Sequence, residues 1–306
     1  MQTQQTMDYS IHSLIIYLWS KKMWIIGIPF VVTLITAGWS LTISNTYLSD
    51  TVLSPTEEAS GGGLANLSGQ LGGLASLAGI SLGESSTDHV TIAMAILESR
   101  QFISRFVNKY ELKDEIMAAQ EWDEVTGELI FDVNIYDPAS QTWTRKPEGN
   151  RPSEPTDLEV YEKFRELLIV ERDKATNLVT ISIEFFSPDL AQIWLQNMIA
   201  EVNNVMRERE IDTTQQNIAY LEEQVEGLDN IEMRTVFFQL IQEQSKNLML
   251  AEVRTDFVFT IIDPPILPEL KHAPRRALIC IVAMILSGFL VVAGFTLSFL
   301  IVPRNH

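Results

Sequence analysis

Apolar residues in this chain gather into two long uncharged runs, Met23–Ser49 and Ala277–Val302. Crossing about 30 Å of hydrocarbon takes roughly 20 apolar residues in a helix. Both runs exceed that, and no other segment comes close. The pattern predicts a tail over 1–22, a membrane helix over 23–45, a domain over 46–276, a second membrane helix over 277–302 and a tail over 303–306. Trp24 and Trp39 stand near the two ends of the first span, where interfacial aromatics gather. A cleaved signal peptide would have an apolar core of about 7–15 residues ending in small residues. This run is longer and finishes Leu41-Thr42-Ile43-Ser44-Asn45-Thr46, so an uncleaved anchor is expected. Residues 9–19 read as a short amphipathic helix on the membrane surface.

Between the spans the periodicity switches repeatedly. Thr46–Leu53 reads as a strand stopped by Ser54-Pro55. In Ser60–Gly83, Leu64, Leu67, Leu71, Leu74 and Leu77 recur at spacings of three and four among glycines that include Gly69 and Gly73. That stripe suits a helix packed closely on a partner surface, since each glycine costs an isolated helix about 1 kcal/mol relative to alanine. A helix capped by Ser86-Thr87-Asp88 should run to about Tyr110, with Ile92, Ala95, Ile96, Phe102, Ile103, Phe106 and Val107 as its apolar stripe. Leu129–Tyr136 reads as a strand, Asp157–Leu168 as a helix, and Leu168–Arg172 and Val179–Phe186 as strands joined by a turn at Lys174–Asn177. Ser187-Pro188 is a sharp helix start, because the hydroxyl can cap and proline fits the first helical position. Neither glycine nor proline interrupts the chain from there to Glu226, which predicts a long helix over 188–226. Its second half is polar, so it should project from the core. A return helix over 231–254 and a strand over Phe257–Ile262 complete an α/β (α+β) domain.

Charge then sets partners and topology. Residues 45–270 hold 39 Asp/Glu against 16 Lys/Arg, while both flanks are net positive. So acidic a domain repels nucleic acid, which is excluded as a partner. Lys21 and Lys22 precede the first span and Asp50, Glu57 and Glu58 follow it, favouring a cytoplasmic N-terminus and an extracytoplasmic domain. Lys271, Arg275 and Arg276 before the second span argue the other way, but the first span usually dominates. The sole cysteine, Cys280, lies in the second span, so the domain has no disulfide and no thiol nucleophile.

Catalytic parts are missing. His12, His89, His272 and His306 are scattered without metal-ligand spacing, and no Gly-Lys pair exists for a phosphate loop. No cofactor, metal or catalytic residue is expected. Glu121, Asp123, Glu124, Glu128 and Asp132 form the densest carboxylate cluster. A solvated acidic surface is the plain reading, and a glycan-processing site the alternative. More informative is the lead-in Asp263-Pro264-Pro265-Ile266-Leu267-Pro268-Glu269-Leu270-Lys271-His272-Ala273-Pro274, which cannot join a helix and reads as a stiff strut. Lys271, Pro274, Arg275 and Arg276 could add a partner contact there. In the second span, Ala283/Ser287, Gly288 and Gly294/Ser298 permit close helix packing, and with Leu64, Leu67, Gly69, Leu71 and Gly73 they mark candidate subunit contacts.

Taken in order, these segments resemble the Wzz-type chain-length determinant family of polysaccharide co-polymerases. Glu98-Ser99-Arg100, Val107-Asn108-Lys109-Tyr110-Glu111-Leu112, Val179–Phe186 running into Ser187-Pro188-Asp189-Leu190-Ala191, and the proline series against the last span carry the likeness. The resemblance implies a bacterial inner-membrane protein with both termini cytoplasmic and its α/β domain in the periplasm. It further implies a homo-oligomeric ring and a non-catalytic role in setting the modal length of O-antigen, or a related polymer made by a Wzy-type polymerase. Membrane lipid and the nascent glycan would be its other partners. It places contacts at a charged helix tip around Arg207, Arg209 and Arg234. The appended tyrosine kinase of some members is not expected, since the chain ends shortly after Val302. Service to capsule or exopolysaccharide export is the alternative. A two-span sensor is disfavoured because 1–22 and 303–306 are too short for a signalling domain.

Overall fold

A computed structural model describes residues 17–56, 89–147, 149, 151–227 and 230–301. In chain order come α1 (Lys22–Ser40), β1 (Tyr47–Pro55), α2 (His89–Leu97), α3 (Arg100–Tyr110) and α4 (Lys113–Ala118). Next are β2 (Ala119–Asp123), β3 (Glu128–Phe131), β4 (Tyr136–Asp137), β5 (Thr142–Trp143) and α5 (Asp157–Leu167). The rest are β6 (Leu168–Arg172), β7 (Val179–Phe185), α6 (Pro188–Glu226), α7 (Ile231–Val253), β8 (Phe259–Asp263) and α8 (Arg276–Ile301). Contacts divide the chain into one unit of residues 1–45 with 271–306, and another of residues 46–270.

The first unit is α1 packed along α8, and both helices are long and apolar enough to cross a membrane. A side chain at Gly288 would begin 3.9 Å from Pro29 Cγ, so glycine there suits the close approach of the two helices. Gly294 has open space around it and is not at such a contact. Hydroxyls on both helices bond back to their own backbone: Thr33 Oγ1 donates to Pro29 O, Thr36 Oγ1 to Val32 O, Ser287 Oγ to Ala283 O and Thr296 Oγ1 to Val292 O. Those four hydroxyls are thereby not left bare in hydrocarbon. The first helix stops at Ser40, short of the expected residue 45. The apolar run from Met23 to Ser49 is shared between two elements, because from Tyr47 onward every second residue turns inward and the chain has become a strand.

The second unit is built on an antiparallel sheet of order β6-β7-β1-β8. Tyr47, Ser49, Thr51 and Leu53 of β1 point inward. The strand continues through Ser54 and Pro55, where it was expected to stop. Its ladder to β7 ends at Leu53 opposite Val179, leaving β8 as the one sheet neighbour, and a strand paired on one side tolerates a residue without N–H. On the sheet lies the first half of α6, whose Ala191, Trp194, Leu195, Met198, Ile199, Val202 and Met206 are all buried. Trp194 anchors an aromatic chain, 4.4 Å from Phe185 and 6.1 Å from Phe164, which is 5.8 Å from Phe106. Lys109 and Arg105 of α3 reach Glu201 of α6 at 2.6 and 3.6 Å, pairing a nearly buried carboxylate.

Two elements depart from the periodicity. The helix expected to reach Tyr110 unbroken is two, α2 and α3, parted at Glu98-Ser99, where Ser99 Oγ accepts from Phe102 N and starts a new helix. The fully buried residues of α2 are Val90, Ala93 and Leu97, while Ile92 and Ile96 of the expected stripe pack partly buried against the core and Ala95 is exposed. The strand expected over Leu129–Tyr136 is broken by a turn at Asp132, whose carboxylate accepts from Asn134 N at 2.9 Å. Phe131 thus ends β3 and Tyr136 opens β4.

Candidate functional site

Prolines make the segment after β8 unable to continue the ladder, since four of its residues, Pro264, Pro265, Pro268 and Pro274, have no N–H to give. Its carbonyls are available, and side chains of the same unit use them. Thr51 Oγ1 donates to Asp263 O (2.6 Å), Ser49 Oγ to Ile266 O (2.7 Å) and Gln192 Nε2 to Pro265 O (2.8 Å). Ser49 and Thr51 are almost wholly buried on the inward face of β1, beyond the point where its pairing with β8 ends at Val52 opposite Asp263. Two hydroxyls thereby stand in for ladder bonds. The strut is pinned to the central strand of the sheet and to the first turns of α6. Pro264 is exposed, while Pro265, Pro268 and Pro274 are half-buried.

At the start of α8 the basic residues divide. Lys271 and Arg275 are exposed. Arg276 is half-buried and donates through Nη2 to Ile43 O (3.3 Å) and Asn45 Oδ1 (3.1 Å), tying the entry of the second membrane helix to the exit of the first. Of the expected basic contacts, then, Arg276 has an internal task. Leu64, Leu67, Gly69, Leu71 and Gly73 lie outside the described residues.

The expected charged tip needs correction. Arg207 lies 20 residues before Gly227, about 30 Å along the helix at 1.5 Å per residue. Its guanidinium donates to Arg254 O (3.1 Å) and Asn204 Oδ1 (2.9 Å), joining the middle of α6 to the end of α7. Arg209 is one further half-turn out, and Arg234 alone of the three belongs to the first turn of α7 beside the tip. A residue pattern read along one helix cannot show where the returning helix meets it.

Asn203 makes the other junction. Buried on α6, it accepts through Oδ1 from Val258 N (2.9 Å) and Phe259 N (3.0 Å) and donates through Nδ2 to Phe259 O (3.0 Å). A helix side chain so captures the start of β8, which leads into the strut.

The carboxylate cluster has structural partners. Asp123 accepts from Val125 N in the β2–β3 turn, and that bond holds its carboxyl below the usual range. Glu124 accepts from Tyr47 OH (2.6 Å). Burial and this neighbour push the Tyr47 phenol up to about 12. Elsewhere, Glu159 accepts from Arg145 (2.8 Å) and from Thr156 N in a capping box, which lowers it to about 2. Burial pushes the Glu115 carboxyl up to about 7, with Asp114 beside it. Among the described residues, no group of His, Cys, Asp and Glu could hold a metal ion.

Comparison with known proteins bears on what this arrangement does. The family model described as "Wzz: Chain length determinant protein" matches residues 8–110. No curated protein matches the chain. Among solved structures, a "full-length bacterial polysaccharide co-polymerase" aligns with a TM-score of 0.37 at 14% identity, covering 96% of this chain and 100% of its own. A fragment of WzzB, a polysaccharide co-polymerase from Salmonella Typhimurium, aligns with a TM-score of 0.31 at 15% identity, covering 75% of this chain and 100% of its own. Both are loose likenesses.

Proposed function

We infer the function from the premise that the chain belongs to the Wzz chain length determinant family of polysaccharide co-polymerases, on its match over residues 8–110. Its proposed role is that of a non-catalytic membrane scaffold that sets the modal length of O-antigen, or a related surface polymer, made by a separate Wzy-type polymerase. Residues 46–270 face the periplasm, both termini face the cytoplasm, and identical subunits form a ring. The observation that carries this reading beyond the family match is the pinned strut. Ser49, Thr51 and Gln192 hold the first residues, Asp263 to Ile266, of the segment that leads from the sheet toward the second membrane helix. A scaffold acting on a membrane-bound polymerase needs such a fixed lead-in, and a free-standing enzyme does not. The use of Asp123, Glu124 and Asp132 in turns and side-chain pairing supports a role without catalysis.

Lipopolysaccharide from a deletion strain, resolved by silver-stained gel, tests the role. Loss of a modal cluster of bands, restored by the intact gene, is expected. An unchanged ladder together with altered capsule would move the chain to capsule or exopolysaccharide synthesis. Within the strut, Arg275→Glu should shift the modal length with expression unchanged, because that exposed charge is free to meet a partner. Arg276→Glu should instead lower the amount of assembled protein, since it breaks the bonds to Ile43 and Asn45.

A further inference from the structure

Two buried polar groups lack partners where α1 ends and α8 begins. Ser40, the last residue of α1, is 1% exposed, and its Oγ has no hydrogen-bond partner. Arg276, the first residue of α8, uses Nη2 on Ile43 O and Asn45 Oδ1, while its buried Nε bonds to nothing. Both belong to one joint. Thr42 N still bonds Trp39 O (3.0 Å), so the chain keeps its helical turn past Ser40. Ile43, whose carbonyl Arg276 holds, then stands about 5 Å further along the axis. Buried donors are rarely left unused, and two at one joint call for an acceptor from outside the chain.

Charge and depth say which acceptor. Lys271, Arg275 and Arg276 put three cations into six residues, and the chain has no Asp or Glu between Asp8 and Asp50 or after Glu269. Lys271 and Arg275 are exposed, and none of the three cations joins an ion pair among the described residues. Trp39, next to Ser40 and 64% exposed, is the kind of aromatic that sits at headgroup depth. The N-terminal end of a long helix such as α8 favours negative charge as well.

We propose that this joint holds the phosphate of an anionic bilayer lipid. Ser40 Oγ and Arg276 Nε donate to its oxygens, and Lys271 and Arg275 meet the net negative headgroup. Hydrogen bonds to a phosphate are charge-assisted and stronger than neutral ones. A water would satisfy the two donors but leave the three positive charges unmatched. The proposal rests on reading α1 and α8 as membrane spans, and it gives the lipid of that reading a defined seat.

Lipid titration of the full chain, purified in an uncharged detergent, tests this. Phosphatidylglycerol, phosphatidylcholine and inorganic phosphate are added in separate arms, and retained lipid is read by native mass spectrometry. Phosphatidylglycerol should be retained several-fold better than phosphatidylcholine and should raise the melting temperature. Ser40→Ala should weaken its retention about ten-fold, the loss of one hydrogen bond to a charged group. Without lipid the same variant should melt no lower than the parent, because it removes a buried hydroxyl that then has no partner. Lys271→Gln, at an exposed position, should bring phosphatidylglycerol down toward phosphatidylcholine. Equal retention of the two lipids, or retention that neither variant changes, would mean ordinary annular lipid and would overturn the proposal. Stabilisation by inorganic phosphate equal to that by phosphatidylglycerol would make the ligand a free anion and overturn it too. Alkaline carbonate extraction tests the membrane reading separately. Protein that stays in the membrane pellet yet shows no preference for phosphatidylglycerol defeats this proposal alone.

Discussion

The two halves of α6 share one uninterrupted helix of 39 residues but are held by different means. From Pro188 to Met206 every turn buries side chains against the sheet, and Asn203 and Glu201 add buried polar contacts. Beyond Met206 only Thr214 and Val225 are buried, and in the whole of α7 only Ala251. Ile231, Met233, Val236 and Phe238 of α7 stand 79, 46, 45 and 55% exposed. The inner half is stabilised by its own core. The outer half, paired with α7, is a long helical hairpin whose order depends on backbone bonds, caps and whatever covers its apolar residues. Helix propensity alone is marginal in water for such a segment, so the hairpin is where assembly with other surfaces can add the most.

Substitutions should break this comparison unevenly. Trp194→Ala, in the inner half, should cost about 3–5 kcal/mol and abolish cooperative melting of the detergent-purified protein near its native temperature. An unaffected melting curve would mean that the aromatic chain through Phe185 and Phe164 does not organise the core. Asn203→Ala should follow at about 1–3 kcal/mol, because the N–H groups of Val258 and Phe259 would be left buried without an acceptor. Its effect should appear first in hydrogen exchange at Val258 and Phe259.

Acid sharpens the same contrast. Glu159 is lowered to about 2, so its stabilising contribution is present above the ordinary carboxyl value and is lost as pH falls through that value toward 2. Glu115 is raised to about 7 and has the opposite sign: its contribution is full below about 4.5 and is lost as pH rises through 7. Glu115→Gln should therefore flatten the decline of stability between pH 5 and 8, and Glu159→Gln should flatten the loss below pH 4.5. Melting temperature followed across that range would check both. Tyr220→Ala, on the outer half and 61% exposed, should change stability by less than about 0.5 kcal/mol. A larger loss would show that a neighbouring surface buries this side of the hairpin in the purified assembly.

Much of the inner architecture was legible because its determinants are local. Ser187-Pro188 marks the helix start, and Trp194, Leu195, Met198, Ile199 and Val202 state its period within a few turns. The break at Glu98-Ser99 was not legible, because apolar residues continue on both sides of it and only the capping bond to Phe102 N separates the helices. Strand β2 was missed for a related reason: Gln120, Glu121 and Asp123 read as solvated chain, and Trp122 is held by Tyr47, 5.7 Å away on another strand. In the strut the prolines announced a segment that cannot donate. The donors that complete it stand 217, 212 and 73 positions away at Ser49, Thr51 and Gln192. Two hydroxyls at alternate inward places of the strand were the available sign, and such residues also occur where nothing needs them.

The bonds from Arg276 to Ile43 and Asn45, with α1 packed along α8, turn the intervening chain into a closed ring of covalent and non-covalent links. Polymer statistics then apply to its denatured state. While the two membrane helices stay together, residues 46–270 cannot expand as a linear chain of about 225 monomers, and a constraint of that loop size removes about 5 kcal/mol of unfolded-state entropy at room temperature. The bilayer thus acts on this domain as a cross-link would in a secreted protein, without a second cysteine. An excised soluble version of residues 46–270, with every contact of its own core intact, starts from that disadvantage.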